Sequence, residues 1–235
     1  VLYDSPMLLG NLESLPSFEI KKKMHRFIGY QLGDFDKQFF MNDLQKIVLE
    51  ATNIFNDIPY NEYTFLAIGP GRGGIEHSNS AAVSFSGNDL NSQVGKNKMM
   101  TFLAHEYFHH FNIKRIRPLE LGPFDYDKEN RTNLLWLSEG LSVYYEYLIA
   151  NRAGVINESM ILGNFEKNIS NHENNPGKHF QSLIQASYDT WSDGPFGTSG
   201  SDPNKSISYY EKGPIFGLIL DIAIRKNTNN QKSLD

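Results

Sequence analysis

Two histidines four residues apart, His105 and His109, sit in a stretch from Lys98 to Ile113 whose spacing predicts a helix. Four helical steps turn the chain by about 400°, so both imidazoles leave one face and can reach a single ion, with Glu106 standing beside them. Seven His and fourteen Glu among 235 residues produce His-Glu-x-x-His by chance in roughly one sequence in a hundred. The competing reading is an ordinary helix with a buried His pair. His110 points about 140° away from His105, which suits packing or a surface hydrogen bond.

The chain has no cysteine. Disulfide frameworks, thiolate zinc knuckles, iron–sulfur clusters and cysteine nucleophiles are therefore excluded together, and any transition metal must be held by His and carboxylates. A catalytic zinc takes three protein ligands and keeps one position for water. Trp136-Leu-Ser-Glu139-Gly140 places a carboxylate in a second predicted helix, Leu134 to Ala150, where Leu135 and Val143 share its face and bury it. A buried carboxylate is costly unless something compensates its charge. A metal does so; a helix cap or a salt bridge to Arg131 or Arg152 does so equally.

Lys plus Arg number 22 and Asp plus Glu 27, a net charge of −5, and the longest basic run is Lys21-Lys22-Lys23. The basic face of a nucleic-acid binder is missing. Apolar residues make up 40% and charged ones 21%, a globular composition, and the length suits one large domain. Ile215 to Ile224, the most apolar run, is interrupted by Asp221 and too short to span a bilayer. Val1 to Pro6 shows neither a charged nor an apolar leader region, so the chain reads as starting partway through a longer protein.

Residues 14 to 31 read as short strands around the Lys21–Lys23 turn, and Phe35 to Phe55 as an amphipathic helix ended by Pro59. Tyr63 to Ile68 and Ala81 to Phe85 read as strands flanking a glycine-rich loop. Glu158 to Ser170 and Phe180 to Tyr188 are further helices, Ser192 to Ser206 a long polar loop, and Pro214 opens a closing helix apolar nearly all round and therefore buried. Strands first and helices after make an α+β chain.

Gly69-Pro-Gly71-Arg-Gly73-Gly74 satisfies the dinucleotide fingerprint in letters only, because a strand-like segment and not a helix follows it. Glycines beside Glu76 instead suit a backbone running close to an extended peptide, with Glu76 free to face a positive charge. Tyr210 precedes the closing helix, where a hydroxyl can be held toward a site, although a core or surface role is the commoner one. Asp221 and Arg225 read as a helical ion pair.

Together, Gly73-Gly-Ile-Glu-His-Ser-Asn-Ser80, His105-Glu-Tyr-Phe-His-His-Phe-Asn-Ile-Lys-Arg-Ile-Arg-Pro118, Leu135-Trp-Leu-Ser-Glu-Gly140 and Tyr209-Tyr-Glu-Lys-Gly213 resemble the glycyl aminopeptidase family of zinc metallopeptidases, within the gluzincins. The resemblance runs from Asp4 to Asp235. It implies a thermolysin-like catalytic domain over 1–235, a small mixed sheet packed on a mainly helical part, with the family's N-terminal β-domain and C-terminal PDZ domain outside the chain. It implies zinc on His105, His109 and Glu139, Glu106 as general base and Tyr210 as the stabiliser of the tetrahedral intermediate. Gly73, Gly74 and Glu76 are similar to the Gly-Ala-Met-Glu-Asn stretch of aminopeptidase N relatives, whose Glu binds a substrate's free amine. Two departures stand out: 29 residues separate His109 from Glu139, which fits an insertion in the glycyl family, and His77 replaces the Asn. The implied partner is a peptide with a free N-terminal Gly or Ala, and the implied setting is the periplasm or outside the cell. A zinc endopeptidase and a catalytically inactive scaffold of the same fold are the alternatives.

Overall fold

The computed structural model describes residues 5–71 and 73–235; residues 1–4, where the family resemblance begins, and Arg72 of the glycine-rich loop lie outside them. The chain is α+β and divides into two compact units, Val1–Lys114 with Leu148–Asn157, and Arg115–Tyr147 with Glu158–Asp235.

The first unit carries a mixed sheet. β1 (Glu13–Ser14) and β2 (Phe18–Ile20) both pair antiparallel with β3 (Lys23–Tyr30). The turn between β2 and β3 places Lys21 and Lys22 at φ 48° and 64°, the left-handed pair that a tight hairpin requires. Asp36 caps α1 (Lys37–Phe55) by accepting from the Phe39 N–H at 2.9 Å. The helix ends on Asn56 in the left-handed conformation, φ 51°, and not on Pro59, because Asn tolerates that conformation and closes the last turn first. β4 (Glu62–Ile68) runs parallel to β3 and to β6 (Ser80–Ser84), and β5 (Gly74–Glu76) lies antiparallel on β6 at the end of the order β1-β3-β4-β6-β5.

Alternation along β3 and β4 puts His25, Phe27, Tyr63, Phe65 and Ala67 on the buried face. Phe27 anchors an aromatic cluster with Phe40 and Phe85, each at 5.1 Å between centroids, and burying such a ring contributes about 2–3 kcal/mol. α2 (Gln93–Phe108) is capped by Ser92, which accepts from the Gly95 N–H at 3.0 Å. It starts and stops about five residues before the predicted Lys98–Ile113. Leu103 to Phe108 are buried on every side, so no apolar stripe marks the ends. Beneath it His25, Tyr60, Tyr107 and Thr52 form a buried hydrogen-bonded chain.

The second unit is helical. A π-type turn at Trp136–Gly140 leads into α3 (Leu141–Arg152), whose residues through Tyr147 belong to this unit. α4 (Glu158–Asn174) outlasts its predicted end, and α5 (Leu183–Tyr188) starts later than expected, on a Ser182–Gln185 capping box. The expected polar loop opens in α6 (Thr190–Asp193) and is organised by the Asp193 carboxylate, which accepts from Gln181 and Ser206 at 3.0 and 2.9 Å. α7 (Tyr209–Asn227) is capped by Ser208, so Pro214 lies inside it and not in its first turn. Nor is α7 buried all round: Phe216, Ile219 and Ile222 are 42%, 58% and 54% exposed. Beyond Tyr209 its buried face is a narrow stripe of Gly213, Pro214, Gly217 and Asp221, closed by the Gly140 backbone over Gly213 and by the Leu141 and Tyr144 side chains over Gly217. Asp221 pairs with Arg225 at 2.8 Å, as predicted. Among the described residues no helix is long and apolar enough to cross a membrane.

His25 is fully buried, with Nε2 2.7 Å from the Tyr60 hydroxyl. Burial lowers its imidazole from 6.5 to about 4, against a smaller upward pull from a backbone hydrogen bond at Lys23. Because the unfolded chain binds this proton first, the contribution to stability is full above pH 6.5 and falls as the pH drops toward 4, by about 3 kcal/mol over the window. Urea unfolding of His25→Phe should show a flatter pH dependence across that window than the parent; identical slopes would assign the protonation to other groups.

Candidate metal centre

His105 occupies the last turn of α2, and His109 follows directly as its C-cap, still in the right-handed helical region at φ −62°, ψ −20°. Both are buried, and their Nε2 atoms face each other at 2.9 Å. The Nδ1 of His109 lies 2.9 Å from the Asn112 carbonyl. A carbonyl only accepts, so Nδ1 carries the proton and Nε2 keeps its lone pair for a metal, the usual outer support of a metal-binding imidazole. The turn that makes this bond sets Ile113 at φ 126°, a conformation β-branched residues rarely adopt, and returns the Lys114 N–H to the His109 carbonyl at 3.1 Å.

Each of His105, His109 and Glu139 offers one ligand atom, and these atoms all lie within 4.8 Å of one another. Ligands on a tetrahedral zinc stand about 3.3 Å apart, so two imidazoles and one carboxylate at this spacing are a donor set that would suit such an ion. Glu139 is half-buried and not buried as the helical face predicted, because the π-type turn gives the interior to Ser138 and Gly140. Arg131, one of its expected alternative partners, is held by Glu129 and by the Tyr188 carbonyl.

Gly140 explains where the Glu139 turn sits in its unit. A Cβ there would meet the Gly213 Cα at 2.6 Å, and a Cβ on Gly213 would meet the Gly140 Cα at 2.5 Å. Two backbones touch at a pair of glycines, which brings the first turn of α7 against Glu139. Tyr210 is in that turn, half-buried, its ring 5.3 Å from Phe196 and 5.1 Å from Tyr209, its N–H donated to the Ser208 hydroxyl. Tyr209, which the sequence did not single out, is buried and bonds Thr190 at 3.1 Å. Burial pushes its hydroxyl up to about 12; the Thr190 bond works against this, and the negative charge of Glu139 adds to the rise.

The glycine-rich segment opens the edge strand β5 and no helix, which disposes of the dinucleotide fingerprint. A Cβ on Gly74 would lie 2.5 Å from the carboxyl carbon of the buried Glu106, so β5 passes directly over that carboxylate. Gly73 takes φ 87° with open space around it. Glu76 is paired with Lys114, Oε1 to Nζ 3.6 Å, a partner that sequence spacing gave no sign of. His110 packs, as expected, among the rings of Tyr60, Tyr63 and Phe111 and donates to the Tyr107 carbonyl.

The profile of the M61 glycyl aminopeptidase family matches residues 98–216, the stretch that holds His105, Glu106, His109, Glu139 and Tyr210. A crystal structure of an aminopeptidase N family protein from Idiomarina loihiensis aligns at 28% identity with a TM-score of 0.88, covering 96% of this chain and 39% of that one. The chain thus spans about two fifths of that relative's length. The fold is shared with yeast LTA4 hydrolase in complex with bestatin (20% identity, TM-score 0.57, 91% of this chain and 31% of that one). It is shared also with an M1 zinc metallopeptidase from Deinococcus radiodurans (14% identity, TM-score 0.55, 94% and 43%). No curated protein sequence matches the chain.

Gly74, the first residue of β5, and Gly73 just before it should respond differently to a methyl group. Gly74→Ala must displace either the strand or the Glu106 carboxylate and should cost about 1–3 kcal/mol by chemical denaturation. Gly73→Ala meets no atom and should cost only the strain of its positive φ, about 1 kcal/mol. A thermodynamically silent Gly74→Ala would show that the strand does not press on Glu106.

Proposed function

The chain belongs to the M61 glycyl aminopeptidase family, and on that premise we propose that it is the catalytic part of a zinc aminopeptidase that removes small N-terminal residues, Gly or Ala, from peptides. The observation that carries the reading is the donor set, two buried imidazoles with facing Nε2 atoms and the Glu139 carboxylate within 4.8 Å. His105, His109 and Glu139 would hold the ion. Zinc so bound lowers the pKa of a water toward about 7 and polarises the scissile carbonyl.

The remaining roles fall to the chain's own groups. Glu106, buried under β5, takes a proton from the attacking water on its carboxylate and returns it to the leaving amine as the C–N bond breaks. Tyr210 donates a hydrogen bond to the oxyanion of the tetrahedral intermediate. The edge strand β5, entered through Gly73 and Gly74, which lack side chains, suits an extended peptide laid alongside it. Glu76, on the same strand, would pair with the peptide's terminal ammonium, so that one residue is removed at a time.

Zinc content and turnover should separate ligand from base. Glu139→Ala should lower zinc occupancy measured by atomic absorption after dialysis. Glu106→Gln should keep the zinc and lose at least about 10²-fold in kcat. Full zinc in Glu139→Ala, or near-parental turnover in Glu106→Gln, would remove that residue from its role. Peptides beginning with Ala should be cleaved far better than their N-acetylated forms; equal rates would replace the aminopeptidase reading with an endopeptidase one.

A further inference from the structure

The Glu76 carboxylate already has a cation. Lys114 Nζ lies 3.6 Å from its Oε1, and the two side chains are only 19% and 22% exposed. Lys114 is held there by the turn that also supports the metal pair. Its N–H returns to the His109 carbonyl, Asn112 gives its carbonyl to His109 Nδ1, and Ile113 between them takes φ 126°. A strained β-branched residue persists only where its surroundings demand it. Here the demand is that one turn orient His109 and deliver an ammonium to β5.

We infer that Lys114 is a specificity-determining residue: its ammonium occupies, at Glu76, the position that a substrate's α-ammonium takes, so a free-amine peptide binds by exchanging one cation for another. This rests on the reading of Glu76 as the amine site. In an uncompensated site the incoming ammonium would gain the whole attraction of a largely desolvated carboxylate. In this one it gains the difference between its own contact and that of Lys114, which must swing toward solvent or share the carboxylate. The lysine therefore weakens the preference for a free amine and speeds its release. A merely structural lysine, one that holds Glu76 in place, would have the opposite effect when removed.

The test uses the zinc-loaded chain in a Glu106→Gln background, which stops turnover, and measures by calorimetry the binding of Ala-Ala-Phe amide and of its N-acetylated form. Lys114→Met, close in shape and uncharged, should raise the ratio of free-amine to acetylated affinity about 10-fold. Lys114→Arg, which keeps the charge, should leave that ratio within about threefold. With Glu106 intact, the Lys114→Met effect should appear in KM for the free-amine peptide and not in kcat. A ratio that is unchanged or lowered in a Lys114→Met protein with parental melting overturns the proposal, and Lys114→Gln serves the same comparison if the Met variant does not fold. Glu76→Gln separates the two readings. If it abolishes the preference while Lys114→Met changes nothing, Glu76 is the amine site and Lys114 does not compete for it. If it leaves the preference intact, the amine site is elsewhere and both readings fall.

Discussion

Two imidazole nitrogens 2.9 Å apart in a packed interior are the constraint around which the first unit is organised. Two lone-pair-bearing nitrogens that close repel unless a proton or a cation lies between them, and apolar packing supplies neither. The arrangement holds because α2 is pinned along its length. Met100, Leu103, Ala104 and Phe108 are buried, and Tyr107 is tied to Tyr60 and Thr52 beneath it. Just past the helix, the Asn112 carbonyl decides which nitrogen of His109 keeps its proton. A residue that reads as an ordinary turn position thereby sets the tautomer of an imidazole three residues earlier.

Glycine does a second job that no polar residue can do. At Gly74 the missing side chain lets the edge strand lie on the Glu106 carboxylate; at Gly140 and Gly213 two missing side chains let backbones touch and bring Glu139 near the Tyr209–Tyr210 turn. At Gly74 this sets main chain directly against the Glu106 carboxylate. Main chain is stiffer than a side chain and has no rotamers to lose, so the carboxylate is fixed with less entropy cost than side-chain packing would require.

The strands and α1 were legible because they obey simple periods. Phe40, Leu44, Ile47, Val48 and Ala51 fall on one helical face, and Tyr63, Phe65 and Ala67 alternate along a strand. Legibility failed where burial is not one-sided. α2 is buried all round near its end, which hid its boundaries, while α7, apolar in composition, leaves Phe216, Ile219 and Ile222 exposed and buries Gly213, Pro214 and Gly217 instead. Composition made Phe216, Ile219 and Ile222 look like core, yet Gly213 and Gly217 are the positions where neighbours come close.

What the sequence by itself determined is what lies within a few residues along the chain. His105 and His109 share a face because a helix turns 100° per step, Asp221 finds Arg225 for the same reason, and the absence of cysteine confines any metal to nitrogen and oxygen donors. Tertiary structure alone decided the pairings of distant residues: Gly74 over Glu106, Lys114 on Glu76, Tyr209 feeling the charge of Glu139, and Glu139 half-buried on a π-type turn. The physical reason is one of range. Local geometry follows from bond rotations that each residue type restricts on its own, whereas a charge's neighbours across 30 or more residues depend on how whole elements pack, and no short pattern in the chain encodes that packing.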